Sequence, residues 1–124
     1  MAAVARVLDQ PLSPPGASAG AAIDTQHLFR MTLGDHSLQR EVLALFDRQA
    51  DILLPRIRRG APAVAEASVH TMKGSAAGIG AFRVARAAEA VEQAKDAAVA
   101  VAVDTLAAVL DEAKAEIARL LQTR

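Results

Sequence analysis

One histidine, His70, has neighbours at helical spacing whose types could serve the chemistry of a ring nitrogen. Glu66 stands four residues before it, Lys73 three residues after it and Gly74 four residues after it. Positions three and four apart share one face of a helix. An imidazole is nucleophilic near neutral pH, an ammonium can pair with an anion carried on the ring, and a glycine leaves the neighbouring surface bare. This spacing therefore indicates a reactive and uncrowded histidine surface.

The helix that carries His70 is predicted from Pro62 to about Ala77, with Gly78 and Gly80 ending it. At about 100° per residue, one side of this helix is apolar and is expected to face the core. Its members are Ala65, Val69, Met72, Ala76 and Ile79. The opposite side holds His70, Lys73, Gly74 and Ala77, with Glu66 one turn earlier. His70 is therefore predicted to point away from the core.

Ordinary structural roles are the alternatives for these residues. A lone histidine is most often a surface or structural residue, and a lone lysine is most often solvated. Gly74 could allow close packing of a neighbouring helix or mark a bend, although its place opposite the core argues against close packing. A glycine inside a helix costs about 1 kcal/mol relative to alanine. His27 and His36 are expected near helix starts, and no histidine pair has ligand spacing, so no metal site is predicted.

Two helices are predicted before the helix that carries His70. A short helix from Gln26 to about Leu33 should direct Leu28 and Phe29 inward. The next helix has an apolar stripe formed by Leu38, Val42, Leu45, Phe46, Leu53 and Ile57. Pro55 interrupts this stripe, so a kink or an early end is expected there. Three arginines follow, Arg56, Arg58 and Arg59; we favour a role in offsetting the helix dipole, with a partner-facing basic patch as the alternative.

Two helices are predicted after the helix that carries His70. No stretch of the sequence alternates apolar and polar residues with the period of a strand. The fourth helix should run from Ala81 or Phe82 to about Lys95. The last helix is marked by Leu106, Leu110, Ala113, Ile117, Leu120 and Leu121, while its start near Ala97 to Val103 is not fixed by the pattern. Short loops between long helices favour antiparallel neighbours. The predicted fold is all-α: an antiparallel up-down four-helix bundle with an additional short N-terminal helix.

The first residues differ from the rest in composition. Met1 to Ala22 is rich in proline, alanine and glycine and is predicted to be an extension, in which Ala2 to Gln10 could form a short docked helix. The bundle domain is predicted over residues 23–124. The length of 124 residues indicates a single domain.

Charge and composition exclude several functional classes. The chain has 14 basic and 14 acidic residues, which argues against nucleic-acid binding and against an anionic membrane surface. It has no cysteine, so thiol catalysis and thiolate metal sites are excluded. No stretch approaches the roughly 20 apolar residues of a membrane span, and the start does not resemble a signal peptide. A cytoplasmic location is therefore expected.

The segment from His70 to Ala81 resembles the signature of histidine-containing phosphotransfer (HPt) domains. It reads His-Thr-Met-Lys-Gly-Ser-Ala-Ala-Gly-Ile-Gly-Ala, and the family pattern is His-Thr-Leu-Lys-Gly-Ser/Ala-Ser/Ala, two variable residues and Ile-Gly-Ala. The wider resemblance covers Ile23 to about Gln122, including Phe46 and Glu92. Met72 replaces the common leucine and Gly78 stands where asparagine is frequent. Some members have a basic residue four positions after the site of Glu92, and this chain has Asp96 there.

The resemblance implies roles for individual residues. His70 would be the phosphorylated nucleophile, Lys73 would stabilise the phosphoryl group, and Glu92 could orient the imidazole. Gly74, with Ala77 and Glu66 on the same face, would form the docking face for a receiver domain. The protein itself would need no cofactor or metal, since Mg²⁺ is expected on the partner receiver.

The leading hypothesis is a histidine phosphotransfer protein of a two-component phosphorelay. It would accept a phosphoryl group on His70 from a receiver aspartate, in a hybrid histidine kinase or a response regulator, and pass it to another receiver. It would be a monomeric phosphoryl carrier without kinase activity, because no nucleotide-binding motif is present. The alternative is a non-catalytic helical adaptor that binds receivers without carrying phosphate. A module of a larger kinase is a third reading, against which the short chain and the clear last helix argue.

Overall fold

A computed structural model of the protein describes residues 20–122, and within them all regular secondary structure is helical. Five helices follow one another: α1 (Thr25–Met31), α2 (His36–Arg59), α3 (Pro62–Ile79), α4 (Phe82–Gln93) and α5 (Ala97–Gln122). The all-helical class predicted from the sequence is confirmed for this part of the chain. The short helix suggested for Ala2 to Gln10 lies outside the described residues. No helix in residues 20–122 is both long and apolar enough to cross a bilayer.

Local sequence signals account for the helix ends. Asp24 and Asp35 cap α1 and α2, and their carboxylates accept hydrogen bonds from first-turn amides that have no partner within the helix. Pro62 occupies the first turn of α3, where no backbone donor is needed. Gly80 ends α3 in the left-handed region at φ 88°, which favours glycine. Its carbonyl accepts a 2.8 Å hydrogen bond from the Asp24 amide, which anchors the start of α1 at the end of α3.

The four long helices close a ring of contacts around one core. Helix α3 packs between α2 and α4, α5 packs against α4 and α2, and α1 rests on α3. Each long helix contributes side chains to one buried cluster, among them Phe46, Met72, Val84, Leu106 and Leu110. Helix α3 is thus held from two sides along its length, which fixes the helix that carries His70.

The predicted inner face of α3 is confirmed. Val69, Met72, Ala76 and Ile79 are all buried, with Met72 and Ala76 completely so. Ala65 is only half-buried, and Ser68, which was not predicted, is buried beside Val69. Because this face is filled by the core, the side chains on the opposite face of α3 must point outward.

Some residues expected inside are exposed. Phe29 is 58% exposed, because Leu28 and Thr32 form the inner face of α1 and the Phe29 ring lies over Gly34 instead. On α2 the core stripe consists of Leu43, Phe46, Ala50, Leu53 and Ile57. Leu38 and Leu45 lie on the flank of this stripe and are 39% and 56% exposed. The prediction that these three side chains point inward is wrong.

The ends of α2, α3 and α4 also differ from the expected ends. Helix α2 continues through Pro55 to Arg59 rather than ending early. Pro55 is exposed, while Leu53 and Ile57 on either side of it are buried, so the core holds the helix across the missing backbone donor. Gly78 does not end α3 but lies within it, and the helix stops only at Gly80. Helix α4 ends at Gln93, two residues before the predicted Lys95.

Candidate functional site

His70 stands on the outer face of α3, as its position relative to the core requires. Its side chain is 77% exposed, although the neighbouring Val69 is buried. A shallow depression of about 480 Å³ beside it is lined by Glu66, His70 and Glu92 together with two alanines. The imidazole is therefore open to a second molecule while the backbone beneath it is fixed by the core.

Glu92 of α4 lies between His70 and Lys73, two residues predicted for this site. Its Oε1 accepts a 2.7 Å hydrogen bond from Lys73 Nζ, and its Oε2 lies 3.5 Å from His70 Nδ1. The first distance is that of a charge-assisted hydrogen bond. The second is too long for a well-formed hydrogen bond, so we treat it as an electrostatic contact. One carboxylate thus faces both the ring nitrogen and the ammonium.

The ion pair shifts the pKa of both of its members. The hydrogen bond from Lys73 lowers the pKa of the Glu92 carboxyl below its usual 4.5, and the nearby His70 acts in the same direction. The hydrogen bond to Glu92 raises the pKa of Lys73 above its usual 10.5, and the charge of Glu89 adds to this effect. At neutral pH both groups are charged, so the ammonium is held on Glu92 at the side of the imidazole.

We expect the contribution of this pair to folding to depend on pH. Because the pKa of Glu92 is lowered on folding, the stabilisation is present above pH 4.5 and is lost as the pH falls through the lowered value. Because the pKa of Lys73 is raised, it is also lost as the pH rises beyond 10.5 through the raised value. Urea unfolding of the wild type and Glu92→Gln should give different free energies at pH 7 and converging ones at pH 3.

Glu89→Gln is the matched control for this measurement, since Glu89 influences Lys73 through charge alone. At pH 7 the free energy of unfolding of Glu89→Gln should differ less from that of the wild type than the free energy of unfolding of Glu92→Gln does. Added salt should reduce both differences, since the pair is partly open to water. If the difference in free energy of unfolding between Glu92→Gln and the wild type stays constant between pH 7 and pH 3, the assignment of the ion pair is contradicted.

The structure brings some predicted site residues together and leaves others apart. His70, Lys73 and Glu92 form one cluster, and Glu66 lies exposed at the edge of the same depression. Gly74 is exposed, and a Cβ added to it would meet no heavy atom within 4 Å among the described residues. The alternative in which Gly74 permits close packing of a neighbouring helix is thus excluded. Ala77 is half-buried and does not line the depression.

Two residues at the site were not singled out from the sequence. Ala63 and Ala67 line the depression beside His70 and also line a second groove between α2 and α3. They precede His70 by seven and three residues, so helical spacing places them on its face. The same projection that selected Gly74 could have found them, but their small apolar side chains carry no chemical signal. Within residues 20–122 no group of three or more His, Asp or Glu side chains is placed to hold a metal ion.

Comparison with known families gives one match. The family model described as "Hpt domain" matches residues 40–123, which is more than half of the chain and includes α3 and Glu92. The match begins within α2 and therefore excludes α1. No curated protein and no solved structure matches the chain.

Proposed function

The chain belongs to the Hpt domain family, whose members transfer phosphoryl groups through a histidine in phosphorelays, and from this premise we propose its specific role. It acts as a phosphoryl carrier between receiver domains, with His70 as the phosphorylated residue. The observation that carries this proposal is the 77% exposed imidazole whose Nδ1 faces the Glu92 carboxylate. An accessible nucleophile and a group that orients it are the two parts that a carrier must supply.

In the proposed reaction the ring attacks through Nε2. The contact with Glu92 favours the tautomer that has its proton on Nδ1, so the lone pair of Nε2 is free and points away from α4. The Nε2 lone pair forms a bond to phosphorus as the bond between phosphorus and the receiver's aspartate oxygen breaks. The aspartate leaves as a carboxylate, and the ring keeps its Nδ1 proton beside the negative Glu92. Transfer to a second receiver is the reverse of these steps.

Lys73 is proposed to stabilise the transferred group. Its ammonium lies one helical turn from His70 and is held at Glu92, so a short side-chain movement would bring it to a phosphoryl oxygen. Phosphoryl transfer depends mainly on positioning and charge neutralisation. The partner receiver would supply Mg²⁺ and most of the catalytic groups, and the carrier would supply the nucleophile and one cation.

Three further sequence predictions are part of the same proposal. We propose that the ring of four long helices has the antiparallel up-down arrangement. We also propose that the functional domain spans residues 23–124, preceded by the extension from Met1 to Ala22. Gly74, with Ala77 and Glu66, is proposed to belong to the face that meets the receiver.

Transfer from a panel of phosphorylated receiver domains of the source organism tests the proposal. Each receiver is labelled on its aspartate with radioactive phosphate and mixed with the wild-type protein for short times. We expect rapid labelling of the protein by at least one receiver. The product should be labile in acid and stable in base, as a phosphorus–nitrogen bond is and a phosphoserine is not. Binding of a receiver without transfer would contradict the carrier and favour the adaptor.

A further inference from the structure

A cavity of about 610 Å³ lies between α1, the start of α2 and the end of α5. None of the residues that line it belongs to α3 or α4, the two helices that carry His70, Lys73 and Glu92. Its volume falls in the range of about 300 to 1,000 Å³ that is usual for small-molecule sites. The cavity is thus separate from the phosphotransfer site and large enough for a ligand of its own.

The floor of this cavity is apolar. Leu28 of α1 and Leu43 of α2 are buried and line it, and Leu120 of α5 lines it where that helix packs against the core. Phe29, which is 58% exposed, lines the cavity as well and adds an aromatic ring to its wall. A ligand with an aliphatic body would remove these surfaces from water, which favours binding in proportion to the apolar area covered.

The charged residues that line the cavity are all arginines, namely Arg30, Arg40 and Arg119, and no acidic residue lines it. Arg119 already donates a 3.0 Å hydrogen bond from Nε to Glu116. Arg30 is exposed and forms no ion pair with another residue in the part of the chain that the structure describes. A guanidinium presents a planar fork of donors that matches a carboxylate. The charge of the cavity therefore favours an anion.

We propose that this cavity binds a small amphipathic anion of the fatty-acid class, whose aliphatic body covers the leucine floor and whose carboxylate meets Arg30. This binding site goes beyond the proposed phosphotransfer function and uses none of the residues around His70. The occupant would also change how α1 is held. Helix α1 rests mainly on α3, where the Asp24 amide donates to the Gly80 carbonyl, and a ligand in the cavity would attach α1 to α2 and α5 as well.

Three ligands with the same alkyl chain test this site: decanoate, the neutral decanol and the cationic decyltrimethylammonium. Each is titrated into the full chain below the concentration at which it forms micelles, and binding is followed by calorimetry and by the shifts of backbone amide signals in NMR spectra. Arg30→Glu and Phe29→Asp change the cavity. Arg59→Glu and Val101→Asp are the matched controls, since both residues are exposed and neither lines the cavity. Sedimentation with vesicles of phosphatidylglycerol distinguishes a free anion from a membrane surface.

We expect one decanoate to bind per chain, with decanol and decyltrimethylammonium binding at least about tenfold more weakly, since a charge-assisted hydrogen bond contributes more than the neutral kind. Arg30→Glu and Phe29→Asp should each weaken decanoate binding at least about tenfold, and the two control variants should stay within about twofold of the wild type. Decanoate should shift the amide signals of α1, the start of α2 and the end of α5, and should leave those around His70 unchanged. The protein should not sediment with the vesicles.

Several results would overturn the proposed site. Decanol that binds as tightly as decanoate would show that the cavity does not recognise an anion. Unchanged decanoate affinity in Arg30→Glu, amide shifts confined to other helices, or binding to the vesicles without binding to decanoate would each place the ligand elsewhere. If Phe29→Asp lowers the free energy of unfolding, Arg30→Glu still decides the question, because the Arg30 side chain is exposed. None of these outcomes depends on phosphoryl transfer, so the site and the proposed function stand or fall separately.

Discussion

Replacing His70 by glutamine is expected to abolish phosphoryl transfer from receivers while leaving the fold intact. An amide nitrogen has no lone pair free for attack on phosphorus, so labelling should fall below detection, a loss of at least about a thousandfold. The His70 side chain is 77% exposed and is not part of the buried core cluster. The free energy of unfolding should therefore stay within about 0.5 kcal/mol of the wild type. Short-time transfer assays and urea unfolding measure the two effects.

His36→Gln is the matched control for this substitution. His36 is also exposed, at the start of α2, and no role in transfer is proposed for it. It should accept phosphate at the wild-type rate. Normal labelling of His70→Gln, or a loss of labelling in His36→Gln alone, would assign the phosphoryl group to another residue and refute the proposed chemistry.

The orientation of the histidine helix could be predicted from the sequence because a long, regular pattern determines it. Val69, Met72, Ala76 and Ile79 recur every three or four residues, and all four are buried. Once these side chains face the core, helical geometry places His70 on the opposite side. The prediction required no knowledge of the neighbouring helices, since burial of one face is decided within α3 itself.

The exposed aliphatic residues of α2 could not be predicted in this way. Leu38 and Leu45 fit a broad apolar stripe as well as Phe46 and Leu53 do, and spacing alone does not say how wide the buried part of the stripe is. Its width depends on how closely the facing helix approaches. Helix α3 presents alanines beside the α2 flank, so no large side chain covers Ile52 and a groove remains.

The cluster at the site could be predicted only in part. The spacing of His70, Lys73 and Gly74 within one helix indicated a common face, and the family resemblance suggested Glu92. The distances from Glu92 to His70 and Lys73 depend on how α4 is rotated against α3, which the core side chains between the two helices set. No periodicity within α3 contains that information. That Lys73 is engaged by Glu92 is therefore a result of the structure.

A side chain introduced at Gly74 is expected to separate folding from function. Among the described residues nothing lies within 4 Å of a Cβ at this position, so alanine fits and should raise the free energy of unfolding by up to about 1 kcal/mol through its higher helix propensity. Leucine would extend outward from the same open position. Gly74 is about 6 Å along the helix from His70, on the same face, so the leucine would stand where a receiver must approach. Transfer from the receiver to Gly74→Leu should fall at least tenfold. Labelling by phosphoramidate, a small-molecule phosphoryl donor that needs no docking surface, should change by no more than about twofold.

Gly78→Leu is the matched control, because Gly78 is also open on all sides but lies about 12 Å along the helix from His70. Gly78→Leu should accept the phosphoryl group from the receiver at a rate within about threefold of the wild-type rate. Equal losses in Gly74→Leu with both donors would mean that the side chain disturbs His70 itself rather than the approach of a partner. An unchanged rate with the receiver would mean that the bare surface beside the imidazole is not needed for docking. Glycine inside a helix has a low helix propensity, and the Gly74 variants measure directly whether phosphoryl transfer requires it.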